Sequence, residues 1–140
     1  MTYDPKNKSI ILVRNRNANF WYPPGGGLEQ GEDAKQCAVR EMLEETGLHV
    51  DLKRMLYAQE FHEKDMTYLE FFWMAELSHE QSINSAHIDL DPEGSVEEAR
   101  WFNKDQLQGL KVYPERLKDS FWDNVDRFYK EEDPFIGVFN

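Results

Sequence analysis

The chain has 140 residues, 27 acidic against 16 basic, for a formal net charge of −11. That balance excludes duplex nucleic acid as a partner, because such binding needs a basic face. Hydrophobic residues make up 40% and aromatics 14%, enough to bury a core and to exclude wholesale disorder. The same acidity repels a polyphosphate unless cations intervene. Cys37 is the sole cysteine, which rules out an intramolecular disulfide and a cysteine-built zinc site, and it reads as a small buried residue. The apolar run Ile10 to Val13 is far too short for a membrane span or a signal-peptide core, so the expectation is a cytoplasmic protein with no membrane partner.

In chain order, Met1 to Tyr3 reads as the stub of a strand before a turn at Asp4-Pro5-Lys6-Asn7, which leaves a first strand that is short or missing. Residues 9–14 (SIILVR) read as a buried strand and Phe20-Trp21-Tyr22 as a short aromatic one. Pro23 to Gly27 forces a loop, since prolines and glycines support neither ladder nor helix. A helix starts near Glu32 or Asp33 and stops at Gly47, a residue suited to a left-handed cap. Residues 50–61 and 67–77 pair as a hairpin through a turn at His62 to Asp65. Ser78 to Ser95 is a long acidic loop, 96–103 a strand, and Lys104 to Leu110 a helical turn. From Pro114 a second helix carries Leu117, Phe121, Val125 and Phe128 on one apolar face, which packs on the sheet. The tail, with Phe135, Ile136, Val138 and Phe139, is expected to dock on a single α/β domain spanning 1–140.

The helix at 32–47 is costly as a bare helix. Advancing about 100° per residue puts Glu41, Glu44 and Glu45 on an arc of roughly 100°, with Val39, Met42 and Leu43 facing the other way. Like charges three or four apart each cost about 0.2–0.5 kcal/mol. The negative end of the helix dipole costs an anion about 0.3–1 kcal/mol more. Arg40 offsets part of this, and hard divalent cations would offset more. Read from the helix alone, a solvated charged face and a metal site stand level. Gly25, Gly26 and Gly27 favour the site, because bare backbone comes close enough to add an oxygen ligand or a phosphate contact. Ala34, Cys37 and Ala38 are small enough to let that loop approach.

Gly26, Glu32, Arg40, Glu41, Met42, Glu44, Glu45, Gly47 and Leu48 fill every defined position of G-x5-E-x7-R-E-U-x-E-E-x-G-U, where U is bulky and aliphatic. This stretch resembles the Nudix box, the signature of the Nudix hydrolases, and nine positions at fixed spacing are a strong signal. The resemblance implies an α/β/α sandwich with a mixed β-sheet. It also implies hydrolysis of a phosphoanhydride in a nucleoside diphosphate linked to another moiety, a small substrate bridged by metal. By that likeness Glu41, Glu44, Glu45 and the Gly26 carbonyl ligate Mg²⁺ or Mn²⁺, Glu41 or Glu45 activates water, and Glu32 and Arg40 brace the carboxylates. The box starts earlier in the chain than is usual for the family, so the first strand is absent, is completed across a homodimer, or is cut short because the recorded sequence starts late.

Beyond the box, Glu93, Glu97 and Glu98 are candidates for an extra ligand or the base. His79 and His87 are weaker candidates for that base. Trp21, Tyr22, Phe61, Tyr68 and Phe72 are candidates for stacking a nucleobase, with core packing the competing use. The alternative function is a catalytically silent module that senses a nucleotide on the same fold.

Overall fold

The computed structural model describes residues 1–83 and 95–139. Its elements in order are β1 (Tyr3–Asp4), β2 (Ser9–Asn15), α1 (Ala34–Thr46), β3 (Val50–Glu63), β4 (Met66–Leu77), β5 (Val96–Asn103) and α2 (Ser120–Phe128). Single 3₁₀ turns lie at Asp105–Leu107 and Glu115–Lys118.

β2 is the central strand, and its side chains alternate between two cores. Ile10 and Leu12 pack with Leu117, Phe121, Val125 and Phe128, while Ile11 packs with Met42 and Leu48. Ile10 to Val13 are all fully buried, which is why the run reads as continuous apolar sequence without alternation. One core lies under α2 and the other under α1, giving the expected α/β/α sandwich.

The sheet is built in two parts. β1, β2 and β5 form an antiparallel set with Tyr3 opposite Ile10 and Ile10 opposite Phe102, and β3 pairs with β4 alone. Thr2 joins them: its carbonyl accepts from Ile11 N at 3.2 Å, and it forms a parallel bridge to Ala75. That parallel link among antiparallel pairs makes the arrangement mixed. The first strand is short, as expected, but the place assigned to a partner chain is filled by this chain's own residues 1–4, with Met1, Thr2 and Tyr3 buried. Backbone pairing on both sides of Thr2 leaves no open ladder there.

The β3–β4 hairpin turns on two residues, Lys64 and Asp65, with Lys64 at φ 52°, tighter than the four-residue turn expected. Its register slips twice, once between Leu52 and Arg54 and once between Met55 and Tyr57, so that Lys53 and Leu56 are extra residues in β3.

Three expectations are corrected. Phe20 to Tyr22 is not a strand: Trp21 and Tyr22 make only single bridges, to Val112 and Val13. The second helix does not run from Pro114. A 3₁₀ turn comes first, and Asp119 (φ −139°, ψ −83°) breaks the path, its carboxylate accepting from Ser120 N to restart the helix. The apolar face survives the break, with Leu117, Phe121, Val125 and Phe128 all buried. The tail docks only in part. Asp133 accepts from Met55 N at 3.0 Å and Phe135 packs edge-on against Trp73, but Ile136, Val138 and Phe139 are exposed. Among the described residues no helix is long and apolar enough to cross a membrane.

Candidate functional site

α1 is fixed at both ends by its own sequence. Asp33 caps the first turn, accepting from Lys35 and Gln36 N, while Gln36 returns the bond to Asp33 N. Gly47, at φ 74°, ends the helix in the left-handed conformation. Met42 meets the core as expected, but Val39 is 37% exposed and does not. On the wheel, with Glu41 at zero, Val39 lies at about 160°, between Met42 at about 100° and Leu43 at about 200°, while Thr46 at about 140° is fully buried, so the core meets the later turns of this face rather than its start.

The glycine loop lies across the acidic side of α1. The Cys37 thiol reaches the carbonyls of Gly26 (3.5 Å) and Gly27 (3.4 Å), so the small residue expected there also pins the loop. Burial, with the Glu32 charge second, pushes this thiol up to about 11, so it remains a donor at neutral pH. Gly26 packs so tightly that a Cβ on it would stand 2.3 Å from Glu41 Oε1.

Arg40 is the hub. Its Nε and Nη2 fork onto Glu32 at 2.7 and 3.0 Å, while Nη1 reaches Glu41 (2.9 Å) and Glu44 (3.1 Å) and Nη2 also reaches the Gly27 carbonyl (3.1 Å). Hydrogen bonding from Arg40 draws Glu32 down to about 2, and the same pairing raises Arg40 above its already high value. Glu45 is buried, and its Oε2 accepts from Gly25 N at 3.0 Å. Arg40, held on Glu32, thus reaches two of the three acids on this face, a contact in line with the role that the resemblance implies for the pair.

Glu41, Glu44, Glu45 and the Gly25–Gly27 backbone line one cavity of about 900 Å³, within the usual range for a small-molecule site. Its described lining carries five acids (Glu29, Glu41, Glu44, Glu45, Glu70) and two bases (Arg40, Lys111). That excess repels a polyanion. Among the described residues no three His, Cys, Asp or Glu side chains converge as metal ligands. Here Arg40 Nη1 lies within hydrogen-bond reach of both Glu41 and Glu44. The donor set still fits a hard divalent cation in kind, because carboxylate and carbonyl oxygens are what Mg²⁺ and Mn²⁺ prefer.

The residues outside the box divide. Tyr22 and Phe61 line the cavity. Tyr68 packs on Phe61 with ring centres 6.1 Å apart, one position back from the lining. Trp21 is core, buried edge-on against Phe102 at 4.8 Å, and Phe72 packs against Tyr57, so neither is placed to stack a base. Glu97 and Glu98 do not line the cavity. They hold Arg14 at 3.0 and 3.2 Å, and although burial opposes its ionisation, Glu98 stays below the usual range because Arg100 and Arg14 donate to it. His79 stacks on His49 outside the cavity. Glu93 and His87 lie outside the described residues.

Sequence reasoning missed Glu70, Lys111 and Tyr113, all of which line the cavity. Lys111 and Tyr113 arrive because the backbone at 111–113 pairs with Trp21, through Trp21 N to Lys111 O and Tyr113 N to Trp21 O. No local pattern announces such a contact between distant irregular segments.

Comparison with known proteins places this architecture. The chain resembles the oxidized purine nucleoside triphosphate hydrolase of Mus musculus, 31% identical over 110 residues that cover 78% of this chain and 64% of that one. It also resembles nucleoside diphosphate-linked moiety X motif 6 of Xenopus laevis, 44% identical over 61 residues, or 42% of this chain and 28% of the relative. The chain spans less than two thirds of the length of the curated relatives it matches first. In fold it is similar to a NUDIX hydrolase from Nitrosomonas europaea, with TM-score 0.72 and 20% identity over 99% of this chain and 92% of that structure. The NUDIX domain model matches residues 1–123, taking in the sheet, the box and the start of α2, and the chain therefore belongs to the NUDIX family.

Proposed function

We propose that this chain, as one domain, hydrolyses a phosphoanhydride bond in a nucleoside diphosphate linked to another moiety, using Mg²⁺ or Mn²⁺. The observation that carries the reading is the meeting of Glu41, Glu44 and Glu45 with bare glycine backbone on one cavity wall. Glu41, Glu44, Glu45 and the Gly26 carbonyl would hold the cation. Bound there, it would screen the phosphate charge and acidify a water molecule. The chain's own part is orientation: Arg40, fixed on Glu32, sets Glu41 and Glu44, and the Gly25 N–H sets Glu45. Glu41 or Glu45 takes the proton of the attacking water.

The test is release of phosphate or nucleotide from a panel incubated with Mg²⁺ or Mn²⁺. Relatives suggest its members: oxidised purine nucleoside triphosphates, UDP-linked compounds and Ap4A. Turnover of any member supports the reading, and no release from any of them overturns it. Thermal stabilisation by a nucleotide without release would favour the silent sensing module instead.

Lys111 is exposed on the cavity rim and, among the described residues, has no carboxylate within ion-pair distance. A cation so placed attracts the substrate anion without touching the chemistry. Lys111→Met is therefore expected to raise KM about twofold to fivefold, with kcat little changed and the effect shrinking as salt is added. Steady-state kinetics at two ionic strengths check this.

A further inference from the structure

The end of the cavity formed by the β3–β4 hairpin has a polar group held for a purpose that the acidic face of α1 does not explain. Gln59 sits directly opposite Glu70 in the hairpin, and Phe61 opposite Tyr68. Glu70 Oε2 accepts from Gln59 Nε2 at 2.5 Å and from the Tyr113 hydroxyl at 3.0 Å, so both of its lone-pair sites are taken. Among the described residues Oε1 takes no hydrogen bond, and Glu70 lines the cavity. Burial, with Glu70 second, pushes Tyr113 up to about 12, which keeps its hydroxyl a donor throughout the working pH range. Aromatic rings from two separate segments line the same cavity: Phe61 from the hairpin, with Tyr68 packed behind it, and Phe20 with Tyr22, ring centres 5.6 Å apart, from the loop after β2.

We infer that Glu70 selects the base, and that this end of the cavity takes a flat ring presenting two neighbouring hydrogen-bond donors on one edge, as guanine does, in preference to adenine. Aromatic faces hold any base by stacking and do not discriminate. The carboxylate does. Guanine offers N1–H beside its 2-amino group, two parallel donors that converge on the open Oε1. Adenine offers one amino donor beside the N1 lone pair, which leaves a site unmet and sets a lone pair against the anion. A site that holds an oriented acceptor rejects a ligand unable to satisfy it.

This inference rests on the cavity being a nucleotide site, and the experiment separates the two. Guanosine and adenosine, neutral and so not repelled by the acidic wall, are titrated into the metal-free protein and followed by NMR. The same preparations, with Mg²⁺ added, are assayed for hydrolysis of matched guanine and adenine substrates. Guanosine is expected to bind about tenfold tighter than adenosine, and the ratio to fall to about twofold or less in Glu70→Gln, whose amide turns an acceptor into a donor. If that variant fails to fold by circular dichroism, Tyr113→Phe, which removes one of the bonds that orient the carboxylate, is read the same way and is expected to weaken the preference. Equal affinities in the unaltered protein, binding of neither nucleoside, or a preference unmoved by these substitutions overturns the assignment. A guanosine preference with no hydrolysis of any substrate sinks the hydrolase reading and leaves this one standing. Hydrolysis without base preference does the reverse.

Discussion

Glu44→Gln and Glu45→Gln are each expected to lower kcat/KM by about a hundredfold or more, and Glu44→Gln to do so with Tm unchanged or raised. The stability half of this expectation follows from the helix. The last turn of α1 has no basic residue, so Glu44 meets the negative end of the dipole at a cost of about 0.3–1 kcal/mol. Its repulsion with Glu41, three residues back, adds about 0.2–0.5 kcal/mol. Against these stands the Arg40–Glu44 pair at 3.1 Å, a helical ion pair of about 0.3–0.5 kcal/mol. The two costs together equal or exceed the one gain, so removing the charge leaves the helix no worse off. Glu45 differs. It is buried and accepts from Gly25 N, and glutamine keeps that acceptor while losing the charge. Loss of activity in Glu45→Gln would therefore report the charge rather than a collapsed loop. Thermal melts paired with steady-state kinetics in Mg²⁺ and Mn²⁺ make the measurement. Turnover that survives both substitutions would remove these residues from the chemistry, and a marked drop in Tm for Glu44→Gln would recast it as a structural ion pair.

Gly26→Ala is the second large effect. A methyl group there would stand 2.3 Å from Glu41 Oε1 and 2.6 Å from Glu41 Cδ, closer than non-bonded atoms tolerate. The obstructing atoms are the end of a side chain, so the fold survives by moving the carboxylate off its Arg40 contact. A displacement near 1 Å in a reacting group can cost about a hundredfold in rate, and that is the loss expected in kcat. Gly25→Ala and Gly27→Ala are the controls, because nothing lies within 4 Å of a Cβ at either position. Both are expected to stay within about threefold of the unaltered protein, since neither displaces a group. Kinetics on the three single variants, with circular dichroism to confirm folding, decide the matter. Equal losses at all three would mean that loop flexibility, rather than the close approach at Gly26, is what the glycines provide.

What could be read in advance was what depends on neighbours in sequence. The glycine stop and the acidic arc follow from spacing within α1 and the Arg40–Glu32 brace from the family resemblance of the same stretch, while the Asp33–Gln36 capping box was not singled out beforehand. The buried face of Leu117, Phe121, Val125 and Phe128 was equally plain, although the break at Asp119 was not, because a capping aspartate and a solvated one look alike in sequence. The substrate end of the cavity was largely hidden. Glu70 and Tyr113 meet across 43 positions, and each looks ordinary where it stands. Trp21 misled for the opposite reason: an aromatic beside a glycine loop suits a ligand, but its partner Phe102 lies on β5 and draws it into the core.

The two extra residues in β3 bear on how the chain tolerates changes of length. A bulge residue is surplus to the ladder, so losing Lys53, exposed between Leu52 and Arg54, would straighten the strand and leave every later residue on the side it now occupies. Losing Ala58 instead shifts the strand by one against β4, carrying Gln59 and Phe61 to the opposite side of the hairpin. Two deletions five residues apart, equal in size, thus differ in kind: one trims curvature, and the other turns the ligand-facing wall outward.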